Sequence, residues 1–186
     1  MPVHAWKTLR AQAPDWKLVE IDKNVSAADL TFDVLVSQKG HETSFRVDLE
    51  GELLSRELEL PAAPLAVRMA ITNEVPGGQV VSLDENFEPE VNSFDVEAVA
   101  TNGVSHSFQL AEDGTLLSRE VAWSEVFPPA RRTIKLQLED GKILRIDRWT
   151  SKQVSGVYPY EVTGRKDGQD YNFLVGPFGR FLGLMK

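Results

Sequence analysis

The chain has no cysteine among its 186 residues. That excludes disulfides, thiol nucleophiles and thiolate metal sites together. Histidine is scarce, with three in all, so a histidine-based triad or metal cluster has few candidates. No apolar run approaches the roughly 18 residues that cross a bilayer. A basic excess is also missing: the formal net charge is -8, which repels phosphate backbones and speaks against nucleic-acid binding. No charged n-region followed by an apolar h-region opens the chain, where Met1 and Pro2 lead into a helix-like segment. Two readings of the compartment follow: a cytoplasmic protein, or a periplasmic or extracellular one whose leader has been removed.

What the chain does have is self-similarity. Leu53-Leu54-Ser55-Arg56-Glu57 is repeated at residues 116–120. Phe45, Phe108 and Phe173 each stand six residues before a glycine, at Gly51, Gly114 and Gly179. Upstream lie Gly40, Gly103 and Gly168. Further back, Phe32-Asp33-Val34, Phe94-Asp95-Val96 and Tyr160-Glu161-Val162 correspond, as do Ile21-Asp22, Leu83-Asp84 and Ile146-Asp147. Landmarks in one order, three times, predict three tandem units over residues 1–60, 61–124 and 125–186.

Each unit opens with proline, at Pro2, at Pro61 and Pro64, and at Pro128 and Pro129. Proline suits a helix's first turn, where its missing N–H costs nothing. Helix-compatible stretches follow, with Trp6, Leu9 and Ala13, then Leu65 and Met69 at i, i+4, then Ala130, Ile134 and Leu138 as the apolar stripes. Strands with period two come next. Phe32, Val34 and Val36 point one way and Asp33 the other; Phe94, Val96 and Ala98 oppose Asp95 and Glu97; Tyr160 and Val162 oppose Glu161 and Arg165. The glycines at 51, 114 and 179 suit tight hairpin turns, and the three phenylalanines before them should be buried. The expected fold class is therefore α+β: three tandem repeats, each a helix followed by a four-stranded antiparallel meander, with helices packed on one sheet face. A unit near 60 residues is marginal alone, so one cooperative assembly is expected.

The segments Pro64 to Ile71, Phe94 to Ala98, Phe108 to Val121 with Asp113-Gly114-Thr115-Leu116-Leu117, Pro129 to Ile134, Tyr160 to Val162 and Tyr171 to Leu182 resemble the PepSY-like family. They are similar too to its relatives with the fold of the β-lactamase inhibitory protein. The resemblance implies a proline-started helix on an antiparallel sheet and export to the bacterial envelope. It also implies a module that restrains peptidases or binds other proteins without catalysis. Leu49-Glu50-Gly51-Glu52 and Pro177-Phe178-Gly179 depart from the family's Asp-Gly hairpin.

No residue is nominated for catalysis. His41 and His106 fall near equivalent strand starts, and a catalytic base is not expected to be duplicated, so they read as exposed residues. His-x-x-x-His and His-Glu-x-x-His are absent. The acidic stretch Asp84, Glu85, Glu88 and Glu90 could attract calcium but lacks the Asp-x-Asp-x-Asp-Gly spacing of a calcium loop, and it reads as a solvated acidic loop. Pro76-Gly77-Gly78 lacks the Lys-Ser/Thr of a phosphate loop. Trp6, Trp16, Trp123 and Trp149 read as core or junction residues. The expectation is a non-enzymatic protein-binding module without cofactor or metal, an inhibitor of or accessory to an envelope enzyme. Its partner contacts would be Asp33, Asp95, Glu97, Glu161 and Arg165 on the polar sheet face. A carrier of a small hydrophobic ligand between helices and sheet, and an architectural scaffold, are the alternatives.

Overall fold

A computed structural model describes residues 1–25, 30–87, 92–150 and 158–185. Helix α1 (Val3–Gln12) precedes strands β1 (Lys17–Val25), β2 (Leu30–Gln38), β3 (His41–Asp48) and β4 (Leu53–Glu57). Helix α2 (Leu65–Glu74) precedes β5 (Gln79–Asn86), β6 (Ser93–Val99), β7 (Ser105–Ala111) and β8 (Leu116–Glu120). Helix α3 (Pro128–Leu138) precedes β9 (Lys142–Trp149), β10 (Tyr160–Lys166), β11 (Gln169–Val175) and β12 (Phe181–Leu184).

The expected α+β class, with three tandem helix-plus-meander repeats, is corrected here. The strands form one 12-stranded sheet in the order of the chain, β1 to β12, and strand accounts for 49% and helix for 22% of the described residues. The fold is mainly β, with short helices as accessories. The reason lies in the strand edges. An isolated meander would leave the outer N–H and C=O groups of β4 and β8 unpaired. Instead Ser55, Arg56 and Glu57 pair with Asn86, Glu85 and Asp84, and Ser118, Arg119 and Glu120 pair with Trp149, Arg148 and Asp147. Cross-strand bonding thus continues where the units were expected to stop.

By Cα proximity the chain divides into two compact units, one of residues 1–105 and 110–115 and one of residues 106–109 and 116–186. In the first, Ala5, Leu9 and Ala13 pack on Phe32, Val34, Val36, Phe45 and Val47. In the second, Ala130, Ile134 and Leu138 pack on Ile146, Tyr160, Val162, Phe173 and Val175. Phe45, Phe108 and Phe173 are all buried. The helices begin at prolines, with Pro2 and Pro64 as extended caps and Pro128 in the first turn.

The apolar stripe of α2 differs from expectation. Leu65 and Met69 are 63% and 58% exposed, whereas Val67 and Ile71 are buried. Both pairs have i, i+4 spacing, and two residues turn a helix by roughly 200°, so the choice between opposite faces falls to the sheet below.

At the hairpins Gly51 and Gly179 have φ of 90° and 87°. A Cβ on Gly51 would lie 2.6 Å from the backbone carbon of His4, and one on Gly179 would lie 2.8 Å from the carbonyl oxygen of Pro129. Each glycine is needed both for its backbone angle and because the first helical turn rests directly on it. Thr8 Oγ1 donates to the Gly51 carbonyl at 2.5 Å and Thr133 Oγ1 to the Gly179 carbonyl at 2.6 Å, pinning helix to hairpin.

Candidate functional site

Alternation sends Asp33, Arg46, Glu57, Asp84 and Asp95 to the sheet face opposite the helices. In the first unit Asp33 on β2 stands opposite Asp22 on β1 and Arg46 on β3; Arg46 faces Ser55 on β4, and Ser55 faces Asn86 on β5. Two residues along, Glu57 on β4 faces Asp84 on β5, and Asp84 faces Asp95 on β6. Beyond that, Ser82 faces Glu97. Of these, Asp33, Arg46, Ser55, Asp84, Asn86 and Asp95, together with Ser44 and Phe45, line an open groove of about 360 Å³.

The groove is acidic and unevenly neutralised. Arg46 grips Asp33 with two N–H groups, Nε at 2.6 Å and Nη2 at 3.2 Å, while Asn24 Nδ2 donates at 2.7 Å. The Arg46 hydrogen bond, above all, holds the Asp33 carboxyl below its ordinary range. Glu57 accepts from the backbone N–H and hydroxyl of Ser44, each at 3.2 Å. Asp95 accepts from Asn86 Nδ2 at 2.8 Å. Half-buried Asp84 has its carboxyl pushed up, first by burial and then by the charges of Glu57, Asp95 and Glu97, with Arg46 opposing. Like charges directly opposite on adjacent strands destabilise a sheet, so the Glu57–Asp84–Asp95 row is held together at a cost.

The second unit carries a row of the same kind. Glu120 on β8 faces Asp147 on β9, which faces Glu161 on β10. Here an arginine serves the row: Arg145 binds Asp147 through Nε at 2.6 Å and Nη2 at 2.8 Å. Trp149 Nε1 donates to Glu161 at 3.0 Å. Burial is the main cause raising the Glu161 carboxyl; Asp147 adds to it, while Trp149 and Arg145 oppose it. Arg165, nearer the β10–β11 turn, is an exposed partner of Asp170 at 2.6 Å. Asn24, Asn86 and Trp149 play one part in their rows, each donating from the first strand to the carboxylate of the next.

Of the residues proposed from sequence, Asp33 and Asp95 line one groove and Glu97 stands within the electrostatic reach of Asp84. Glu161 and Arg165 lie on β10 in the second unit. Sequence reasoning missed Arg46, Glu57, Asn86, Arg145 and Asp147 as members of these rows. Their signal was present as the landmarks Asp84 and Asp147, each preceded by a buried aliphatic residue, but their lateral neighbours depend on strand register. Of the acidic stretch, Asp84 faces the groove while Glu85 lies on the other face, paired with Arg56 at 2.7 Å; Glu88 and Glu90 fall outside the described residues. Among the described residues no group of three or more His, Asp and Glu is set to hold a metal ion. His41 is exposed beside Glu59, 3.7 Å away, and no histidine lines the groove. Trp6 and Trp16 stack at 5.4 Å. Trp123 packs against the core of the second unit and lies under Arg131 and Lys135, whereas Trp149 belongs to the polar face. No helix is long and apolar enough to cross a membrane, among the described residues.

No protein-family model and no curated protein matches the chain. Several solved structures are similar to it. One is a protein from Bacteroides eggerthii ascribed to the periplasm, 17% identical over 63% of this chain and 86% of its own, with a TM-score of 0.45. A DUF2874 family protein from Bacteroides uniformis is 16% identical over 62% and 86%, at 0.43. A BLIP-like protein from Bacteroides fragilis is 19% identical over 63% and 84%, at 0.42. At such scores the likeness assigns this chain neither a family nor a partner.

Proposed function

We propose that this chain is a non-catalytic protein-binding module that engages its partner through the polar face of its sheet. The observation that supports this reading is the groove lined by Asp33, Asp84 and Asp95, with Glu57 opposite Asp84 on the neighbouring strand, where carboxylates are gathered on rigid strands against their mutual repulsion. Side chains fixed by cross-strand pairing form a preorganised surface, which lowers the ordering cost of association. The groove is open and charged, so it suits a polar protein surface better than a hydrophobic small molecule. The finer reading, an exported inhibitor of or accessory to an envelope enzyme, rests on the sequence resemblance to PepSY-like domains alone. Affinity capture from an envelope extract of the source organism tests it. The expected result is one enriched protein, lost when Asp33, Asp95 and Glu97 are replaced by Lys. Retention of nothing above a scrambled-surface control overturns the reading.

A further inference from the structure

Resting on that reading, we infer that the groove of the first unit receives an arginine side chain from the partner protein, chelated by Asp84 with Asp95 and Glu97 around it. The two rows of the sheet supply the comparison. Both begin from the same pentapeptide, Leu-Leu-Ser-Arg-Glu, and present a glutamate, an aspartate and a third carboxylate on successive strands. In the second unit the row holds a guanidinium: Arg145, two residues before Asp147, donates to both of its carboxylate oxygens. In the first unit the residue two before Asp84 is Ser82. The cross-strand neighbour changes with it: Arg145 faces Thr163, whereas Ser82 faces Glu97. One row therefore carries its own cation beside a neutral neighbour. The other replaces that cation with a small hydroxyl and adds a carboxylate.

Charge and shape point the same way. The cation that acts on Asp84 is Arg46, but its Nε and Nη2 donate to Asp33. A planar guanidinium satisfies a carboxylate with two parallel N–H···O bonds, which an ammonium cannot do. Such chelation occurs on this face at Asp33 and at Asp147, so Asp84 completes a pattern. An arginine reaching in from a partner also relieves the repulsion among Glu57, Asp84, Asp95 and Glu97, giving binding an energy term that the free protein lacks.

The test uses the full chain, isotope-labelled, at low ionic strength, titrated with N-acetyl-Gly-Arg-Gly-amide and with its lysine counterpart while amide shifts are followed by NMR. Saturable shifts at Ser44, Asp84, Asn86 and Asp95 are expected, with the lysine peptide about fivefold weaker because it offers no bidentate fork. Ser82→Arg, which supplies the guanidinium internally, should weaken arginine-peptide binding about tenfold, the loss of one charge-assisted contact; Asp84→Asn should do the same without adding bulk. The double change Arg145→Ser with Thr163→Glu should create a second site on β9 and β10. Equal affinity of Asp84→Asn and the parent, or equal binding of the two peptides, overturns the inference. So does calcium chloride if it shifts the same resonances at lower concentration than the peptide, since the site is then one for a hard cation. A protein partner still captured by Ser82→Arg leaves the proposed function standing and removes only this inference.

Discussion

Gly40 and Gly51 take nearly the same backbone angle, φ of 87° and 90°, in opposite surroundings. A Cβ on Gly40 would meet nothing within 4 Å, whereas one on Gly51 would lie 2.6 Å from the His4 carbon and 2.8 Å from the Ala5 nitrogen. Alanine at either site carries the penalty of a left-handed backbone, about 1–2 kcal/mol. Alanine at Gly51 must also push the first turn of α1 off the hairpin, an overpacking cost of about 1–3 kcal/mol more. The displaced turn would strain the bond from Thr8 Oγ1 to the Gly51 carbonyl, worth about 1 kcal/mol. Gly51→Ala should thus cost about 2–6 kcal/mol, and Gly40→Ala only the first 1–2. Both residues lie in the same compact unit, so urea unfolding followed by tryptophan fluorescence in a Trp123→Phe, Trp149→Phe background, where only the stacked Trp6 and Trp16 emit, reports on both. Equal losses in the two variants would refute the claim that the helix rests on the hairpin and that Gly51 is selected by contact as well as by angle.

The α2 face supplies another comparison: Met69→Glu should change stability by less than about 0.5 kcal/mol, while Ile71→Ala should cost about 2–5 kcal/mol, measured by thermal or urea unfolding. The reverse order would show that the helix is seated on Leu65 and Met69 after all. A pH dependence follows from Asp84. Its carboxyl is raised in the folded protein above the ordinary value near 3.8, chiefly by burial. The folded state therefore holds that proton more tightly than the unfolded chain, and the contribution, fully present below pH 3.8, is lost as pH rises through the raised value. Asp33 acts oppositely: lowered by Arg46, its contribution is present above its ordinary value and lost as pH falls. Asp84→Asn should accordingly raise the urea midpoint at pH 7 more than at pH 3.5, and a gain that is larger at the lower pH contradicts the crowding of carboxylates around it.

Much of the strand layer was legible because period two is a local property. Phe32, Val34 and Val36 are buried and Asp33 is not, and that follows from alternation along one strand. The buried Phe45, Phe108 and Phe173 and the positive φ of Gly51, Gly114 and Gly179 were legible for the same reason, each belonging to a short hairpin segment. The polar-face residues Asp33, Asp95, Glu97, Glu161 and Arg165 could be assigned to a face by the same alternation. Helix burial was less legible, since α2 presents two apolar pairs at i, i+4 and only contact with the sheet selects Val67 and Ile71.

The sequence by itself determined which residues alternate in and out on strands such as β2, β6 and β10, and where the chain must turn, because both depend on neighbours a few positions away. On β1, β5 and β9 the apolar Val19, Val81 and Leu144 are exposed. The tertiary structure alone decided that β4 pairs with β5 and β8 with β9, making one mainly-β sheet. It alone set Glu57 against Asp84 and Ser82 against Glu97. Every residue but proline offers the same backbone donor and acceptor, so lateral pairing leaves no mark in composition or period. The acidic row of the first unit, with its missing guanidinium, exists only once that register is in place.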